Sequence, residues 1–141
     1  MKTFVLASTI ALALVSGEAM AVCSGSTRLN AAQITSLLTN NTVCVPAATV
    51  PDMTWQELHS SGGNLIDYKR GAGHPVDPTE TVGTWSVNGT GAGNSDVTHN
   101  YGSGGTYTYS VFGSGVVGTS HSFCGSGPEI VARVKSGGGA C

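Results

Sequence analysis

The chain has 141 residues, of which only 6 are basic and 8 acidic, and its formal net charge is −2. Charge this sparse gives no field that would steer nucleic acid or anionic lipid to the protein, so we predict no nucleic-acid partner. The exposed polarity then has to come from Ser, Thr, Asn and Gly, and such a weakly repulsive surface leaves self-association open.

The first 21 residues predict a secretory signal. Lys2 gives a positive start, residues 4–15 are mostly apolar, and residues 19–21 (Ala-Met-Ala) have the small-x-small pattern of a cleavage site. The apolar run of about a dozen residues is shorter than the roughly 20 that a spanning helix needs. We therefore expect residues 1–21 to be removed on export, with no membrane span, and residues 22–141 to form one β-rich domain in the periplasm or outside the cell.

Four cysteines follow the predicted signal: Cys23, Cys44, Cys124 and Cys141. An even number of cysteines in an exported protein predicts two disulfides. Their spacing leaves more than one pairing open, and we favour Cys23–Cys44 and Cys124–Cys141 because each bond would close one local unit. The alternative is a metal site, but neither CxxC nor paired-His spacing is present, and the four histidines are scattered. We predict no metal and no cofactor.

One helix is predicted between Cys23 and Cys44. Asn30 is a plausible N-cap, and Gln33 can answer it as a capping box. One apolar stripe follows at i, i+3 and i+4: Ile34, Leu37 and Leu38. Two asparagines at 40–41 are a suitable left-handed stop. We predict a helix of about ten residues lying over a sheet, since a stripe this short favours core packing over a partner-binding helix.

Short alternating runs separated by turn residues make up the rest of the chain. Residues 42–45 are extended and β-branched, and seven strands are predicted after them: 53–59, 64–70, 81–87, 96–101, 106–112, 116–124 and 129–135. This pattern predicts a mainly β fold. It would be an antiparallel meander or a partly closed, lipocalin-like barrel, with one N-terminal helix and two disulfides.

Gly83-Thr84-Trp85 together with Arg133 resembles the lipocalin and wider calycin group, in which a Gly-x-Trp indole packs under a basic side chain of the last strand. The order of elements departs from that group, where the Trp strand opens the barrel and the helix follows the strands. The whole layout is more similar to small uncharacterised bacterial secreted domains with lipocalin-like sheets. The resemblance implies a binding fold and no particular activity. Simple core packing of Trp85 with a cation–π neighbour is the alternative.

The alternation over residues 53–59 places Trp55, Glu57 and His59 on one face of a strand. Glu57 and His59 could form a general acid–base pair, with Asp67 of the next strand as a second carboxylate. We favour the solvent face of an early strand instead, because nothing else in the sequence completes a catalytic site. No nucleophile elbow is present, and we predict no catalytic residue and a non-enzymatic protein.

The candidate ligand-binding residues are mostly aromatic: Trp55, Tyr68, Trp85, Tyr107, Tyr109 and Arg133. Tyr107 and Tyr109 share one face of a strand, where they could line a pocket or act as cross-strand partners that stiffen the sheet. Tyr68 begins a Tyr-Lys-Arg strand end that could hold an anion, although a solvated strand end is the simpler interpretation.

The leading functional hypothesis is a small binding module that holds an apolar or mixed ligand between helix and sheet. A structural subunit is the second hypothesis, because sparse charge and unprotected edge strands suit lateral association into fibres or a coat. The third is a hydrolase that uses Glu57 and His59. Nothing in the sequence identifies the ligand.

Overall fold

The computed structural model of the protein describes residues 23–24, 27–68, 79–91 and 93–141. The predicted signal and most of the loop before residue 80 lie outside these residues. One helix precedes eight strands: α1 Ala31–Leu38, β1 Asn41–Val45, β2 Trp55–His59, β3 Asn64–Asp67, β4 Glu80–Asn88, β5 Asp96–Asn100, β6 Thr106–Phe112, β7 Ser120–Cys124 and β8 Ile130–Lys135. Among the described residues there is no helix long and apolar enough to cross a bilayer.

The eight strands form a closed barrel. Each strand pairs antiparallel with the next along the chain, and β1 closes the circle by pairing with β8, where Val43 lies opposite Val134. The predicted mainly β, lipocalin-like fold with one helix and two disulfides is confirmed, and the barrel is closed fully rather than partly. Closure pairs the two terminal strands with each other, so it removes the open sheet edges on which the hypothesis of lateral assembly was based.

α1 closes one end of the barrel. The predicted capping box is present: the Gln33 amide donates to Asn30 Oδ1 at 3.0 Å, and the Asn30 amide donates to Gln33 Oε1 at 2.9 Å. Asn40 has φ 58° and turns the chain directly into β1. The three stripe residues of α1 are buried in one core cluster with inward-facing barrel residues: Val43, Val97, Val111, Phe123, Ala132 and Val134.

Several strand boundaries differ from the predicted ones by a few residues, and two segments differ in kind. Residues 42–45 belong to a full barrel strand, β1, because the same segment bonds β2 on one side and β8 on the other. Residues 116–119 are a turn instead of the start of β7, since Gly118 has φ 93° and the Thr119 amide donates to the Val116 carbonyl at 3.3 Å. The left-handed glycine breaks the extended backbone there.

The predicted disulfide pairing is wrong. Cys23 bonds Cys124 and Cys44 bonds Cys141, with sequence separations of 101 and 97 residues. The reason lies in the barrel: the segment before α1 runs beside β6, and the tail after β8 turns back over β1 and β2. Each bond therefore ties one end of the chain to the outer wall, and loops of this size contribute roughly 4–5 kcal/mol each in the chain-entropy model.

Tryptic peptide mapping without reduction checks this pairing, because basic residues separate all four cysteines. We expect the peptide ending at Arg28 to be linked to 71–133, and the peptide 29–69 to be linked to 136–141. The local pairing would instead link the Arg28 peptide to 29–69, and that linked mass would contradict the structure.

Candidate ligand-binding site

A cavity of about 250 Å³ lies at the end of the barrel opposite to α1. Seven residues line it: Trp55, Glu57, His99, Tyr101, Tyr107, Tyr109 and Ile130. Trp55 and Ile130 are the first residues of β2 and β8, and Tyr107 is the second of β6. These three strands run opposite to β1, so their first residues lie at the barrel end where β1 finishes. The cavity combines aromatic walls with a carboxylate, which is the usual composition of a small-molecule site.

The pleat of the strands explains why these side chains meet. Residues opposite each other in paired strands share a face, and Trp55 lies opposite Val45, Glu57 opposite Val43, and His99 opposite Tyr107. Val43 belongs to the barrel core, so its partner Glu57 also points inward. The face that carries Trp55, Glu57 and His59 is therefore inside the barrel, and its assignment to solvent was wrong.

Glu57 is a buried carboxylate that reaches the cavity. It is only 6% exposed. The Tyr101 hydroxyl donates to it, with distances of 2.8 Å to Oε2 and 3.0 Å to Oε1. Burial raises the pKa of Glu57 to about 7, the Tyr101 hydrogen bond lowers it, and the charge of Asp67, directly opposite in β3, raises it further. Near neutral pH the side chain therefore exists in both protonation states.

Two buried histidines form the layer between the cavity and the aliphatic core. His59 Nε2 and His99 Nε2 are 3.0 Å apart, and His59 Nδ1 is 3.3 Å from the Glu57 carbonyl oxygen. Because a carbonyl only accepts, His59 carries its hydrogen on Nδ1, and His99 donates from Nε2. Burial lowers the pKa of both rings, that of His99 to about 4, and His99 lowers the pKa of His59 further. Both histidines are neutral in this arrangement.

The structure does not place Glu57 and His59 together as a catalytic pair. Both point inward, but the Glu57 carboxylate bonds Tyr101, and His59 bonds His99 and is fully buried. Glu57 lines the cavity, whereas His59 lies behind His99, away from the cavity wall. Glu57 alone of the two can therefore exchange a proton with a molecule in the cavity.

Three of the six predicted ligand-binding residues line the cavity: Trp55, Tyr107 and Tyr109. Trp85 is also inside the barrel but deeper, with its ring edge-on to His59 at 5.2 Å and its Nε1 donating to the Ser60 carbonyl at 2.9 Å. Gly83, two residues before Trp85, has no room for a side chain, because a Cβ there would lie 2.4 Å from the Asn100 carbonyl oxygen.

Arg133 and Tyr68 lie on the outer wall. Arg133 alternates with the core residues Ala132 and Val134, and its Nε donates to the Ala47 carbonyl at 3.2 Å. Trp85 and Arg133 are therefore on opposite faces of the wall and do not form the lipocalin-type pair. Tyr68 lies against the C-terminal tail, where a Cβ on Gly138 would be 2.9 Å from its hydroxyl.

The ligand position expected between helix and sheet is filled by the core side chains beneath α1. The cavity is at the other end, and a groove of about 410 Å³ lies between the first half of β6 and the turn that joins β7 to β8. Tyr107, Tyr109 and Ile130 line both the cavity and the groove. The cavity and the groove are therefore adjacent.

His99, Tyr101 and Ile130 complete the cavity although they were not predicted as site residues. The sequence could have indicated two of them, since Val97, His99 and Tyr101 occupy every second position along β5 and the residue after it, and so share one face. Val97 is fully buried, and that places the other two inside as well.

No protein-family model, curated protein or solved structure matches this chain. The fold and the geometry of the cavity are therefore the basis for any functional conclusion.

A Glu57→Gln variant tests the burial of the carboxylate through stability. The raised pKa means that the protonated form stabilises the fold below pH 4.5, and this contribution is lost as the pH rises through about 7. Glutamine still accepts from Tyr101 but does not ionise. We expect the unfolding free energy of the variant, relative to wild type, to rise by roughly 2–3 kcal/mol from pH 4.5 to about 8.

Urea unfolding curves of the two proteins at each pH measure this difference. Comparison at equal pH cancels the opposite trend of His59 and His99, whose lowered pKa values favour the fold above pH 6.5. A difference that stays constant with pH would contradict a buried, ionisable Glu57.

Proposed function

We propose that the protein is a small binding protein that holds an apolar or mixed ligand in the cavity at the end of its barrel opposite to α1. The observation that carries the proposal is the cavity itself, in which Trp55 and three tyrosines surround a buried carboxylate. Rigid aromatic side chains offer a large contact area and lose little conformational entropy on binding. The groove gives such a ligand room beyond the cavity.

The two disulfides support a location outside the cytoplasm. Disulfides persist in oxidising compartments such as the periplasm and the cell exterior. They agree with the secretory signal predicted from residues 1–21, which lie outside the described residues. We propose that the protein acts in the periplasm or outside the cell.

The two tryptophans give a direct binding assay by ¹⁵N NMR. Trp55 lines the cavity, whereas the Trp85 indole is engaged with Ser60 deeper in the barrel, so the two indole signals serve as probe and internal reference. With 2-naphthol as a neutral aromatic probe, we expect the Trp55 signal to move in a saturable manner and the Trp85 signal to move much less. A Trp85→Phe variant assigns the two signals.

A matched pair of tyrosine variants locates the binding. Tyr107 is 48% exposed and lines both cavity and groove, whereas Tyr68 lies on the outer wall. Loss of the Tyr107 ring in Tyr107→Ala should weaken 2-naphthol binding by roughly five- to tenfold, and Tyr68→Ala should leave it unchanged. A Trp55 signal that does not respond, or equal losses in both variants, would contradict the proposed site.

A further inference from the structure

The Glu57 carboxylate has acceptor capacity that faces the cavity. A carboxylate offers about four lone-pair positions, and the Tyr101 hydroxyl hydrogen is shared between its two oxygens. Among the described residues, no other side chain donates to Glu57. Because the carboxylate is 6% exposed and lines the cavity, a ligand group is well placed to fill the remaining acceptor positions.

The basic side chains of the described part of the chain are engaged elsewhere. Arg28 forms an ion pair with Asp96 at 2.9 Å, and Arg133 and Lys135 donate to backbone carbonyls at 3.2 and 3.1 Å. Within those residues, no basic side chain neutralises Glu57. A buried charge without a partner of opposite sign is costly, so the site favours a ligand that brings that sign.

The walls of the cavity also favour a cation. Trp55, Tyr101, Tyr107 and Tyr109 present aromatic rings there, and the Tyr101 and Tyr107 ring centroids are 5.9 Å apart. The faces of such rings attract ammonium groups through the ring quadrupole. An anionic head group would meet the Glu57 carboxylate, and a neutral one would leave its charge uncompensated.

We infer that the cavity selects small organic amines, whose primary ammonium donates to Glu57 while the apolar part of the molecule lies among the aromatic rings and toward the groove. The inference rests on the proposed binding function and names its ligand class. Binding forms no covalent bond and needs no co-reactant. The primary ammonium is preferred over a quaternary one because its N–H groups fill the open acceptor positions of Glu57.

Three probes that share a phenyl ring and differ in the head group test the charge preference. They are 2-phenylethylamine, 2-phenylethanol and 3-phenylpropionate, titrated into the oxidised protein at about pH 8 and followed at the Trp55 indole signal. We expect the amine to bind about tenfold tighter than the alcohol or more, because a hydrogen bond to a charged group is the stronger one, and the carboxylate to bind weakest.

A Glu57→Gln variant should bring the amine to within about twofold of the alcohol, because glutamine offers the ammonium no charged acceptor. Glu80→Gln is the matched control, since Glu80 is an exposed carboxylate at the start of β4 and at the same end of the barrel. It removes the same charge outside the cavity and should keep the amine preference.

The outcomes separate the two proposals. Equal or tighter binding of the alcohol to wild type would overturn the amine inference and leave the binding function in place. An amine preference that persists in Glu57→Gln would also overturn it. Failure of all three probes to move the Trp55 signal would count against the binding function itself. If the Glu57 variant does not fold, the head-group series on wild type still decides the inference.

Discussion

The pairing of β1 with β8 is the constraint on which the rest of the structure depends. Once the sheet is closed, every second residue of every strand is directed into a space that has only two ends. α1 fills one end with Ile34, Leu37 and Leu38, against aliphatic residues of the wall. The other end has no such plug among the described residues, and there the inward positions are aromatic and polar. The closed wall thus encloses a packed core at one end and a cavity at the other.

The polar side chains between the core and the cavity form hydrogen bonds with one another. His59 and His99 satisfy each other, and Tyr101 turns its hydroxyl toward Glu57. Buried polar groups of this kind contribute less to stability than aliphatic side chains of similar size would. They lie next to the cavity, whereas the core cluster around α1 is mainly apolar, and polar groups kept at a cleft are candidates for a functional site.

Local signals in the sequence predicted local structure well. The capping residues Asn30 and Gln33 located the helix, and the alternation over residues 106–112 gave β6 with both of its ends. Alternation defines two faces of a strand but does not say which one is inside. The face with Glu57 and His59 looks polar and was assigned to solvent, and only its pairing with Val43 across β1 and β2 shows that it is buried.

The disulfide pairing was mispredicted because proximity in a barrel follows strand neighbours and not sequence distance. β1 and β8 are adjacent although they lie at opposite ends of the chain, so Cys44 meets Cys141 and misses Cys23. The two bonds also overlap along the sequence, in the order 23, 44, 124, 141. Hydrolysis of any single peptide bond between Cys23 and Cys141 therefore leaves both fragments covalently joined. Side-by-side loops would have let a cut between Cys44 and Cys124 release two separate pieces. The crossed arrangement therefore keeps a singly cleaved molecule in one covalent piece for as long as both disulfides stay oxidised.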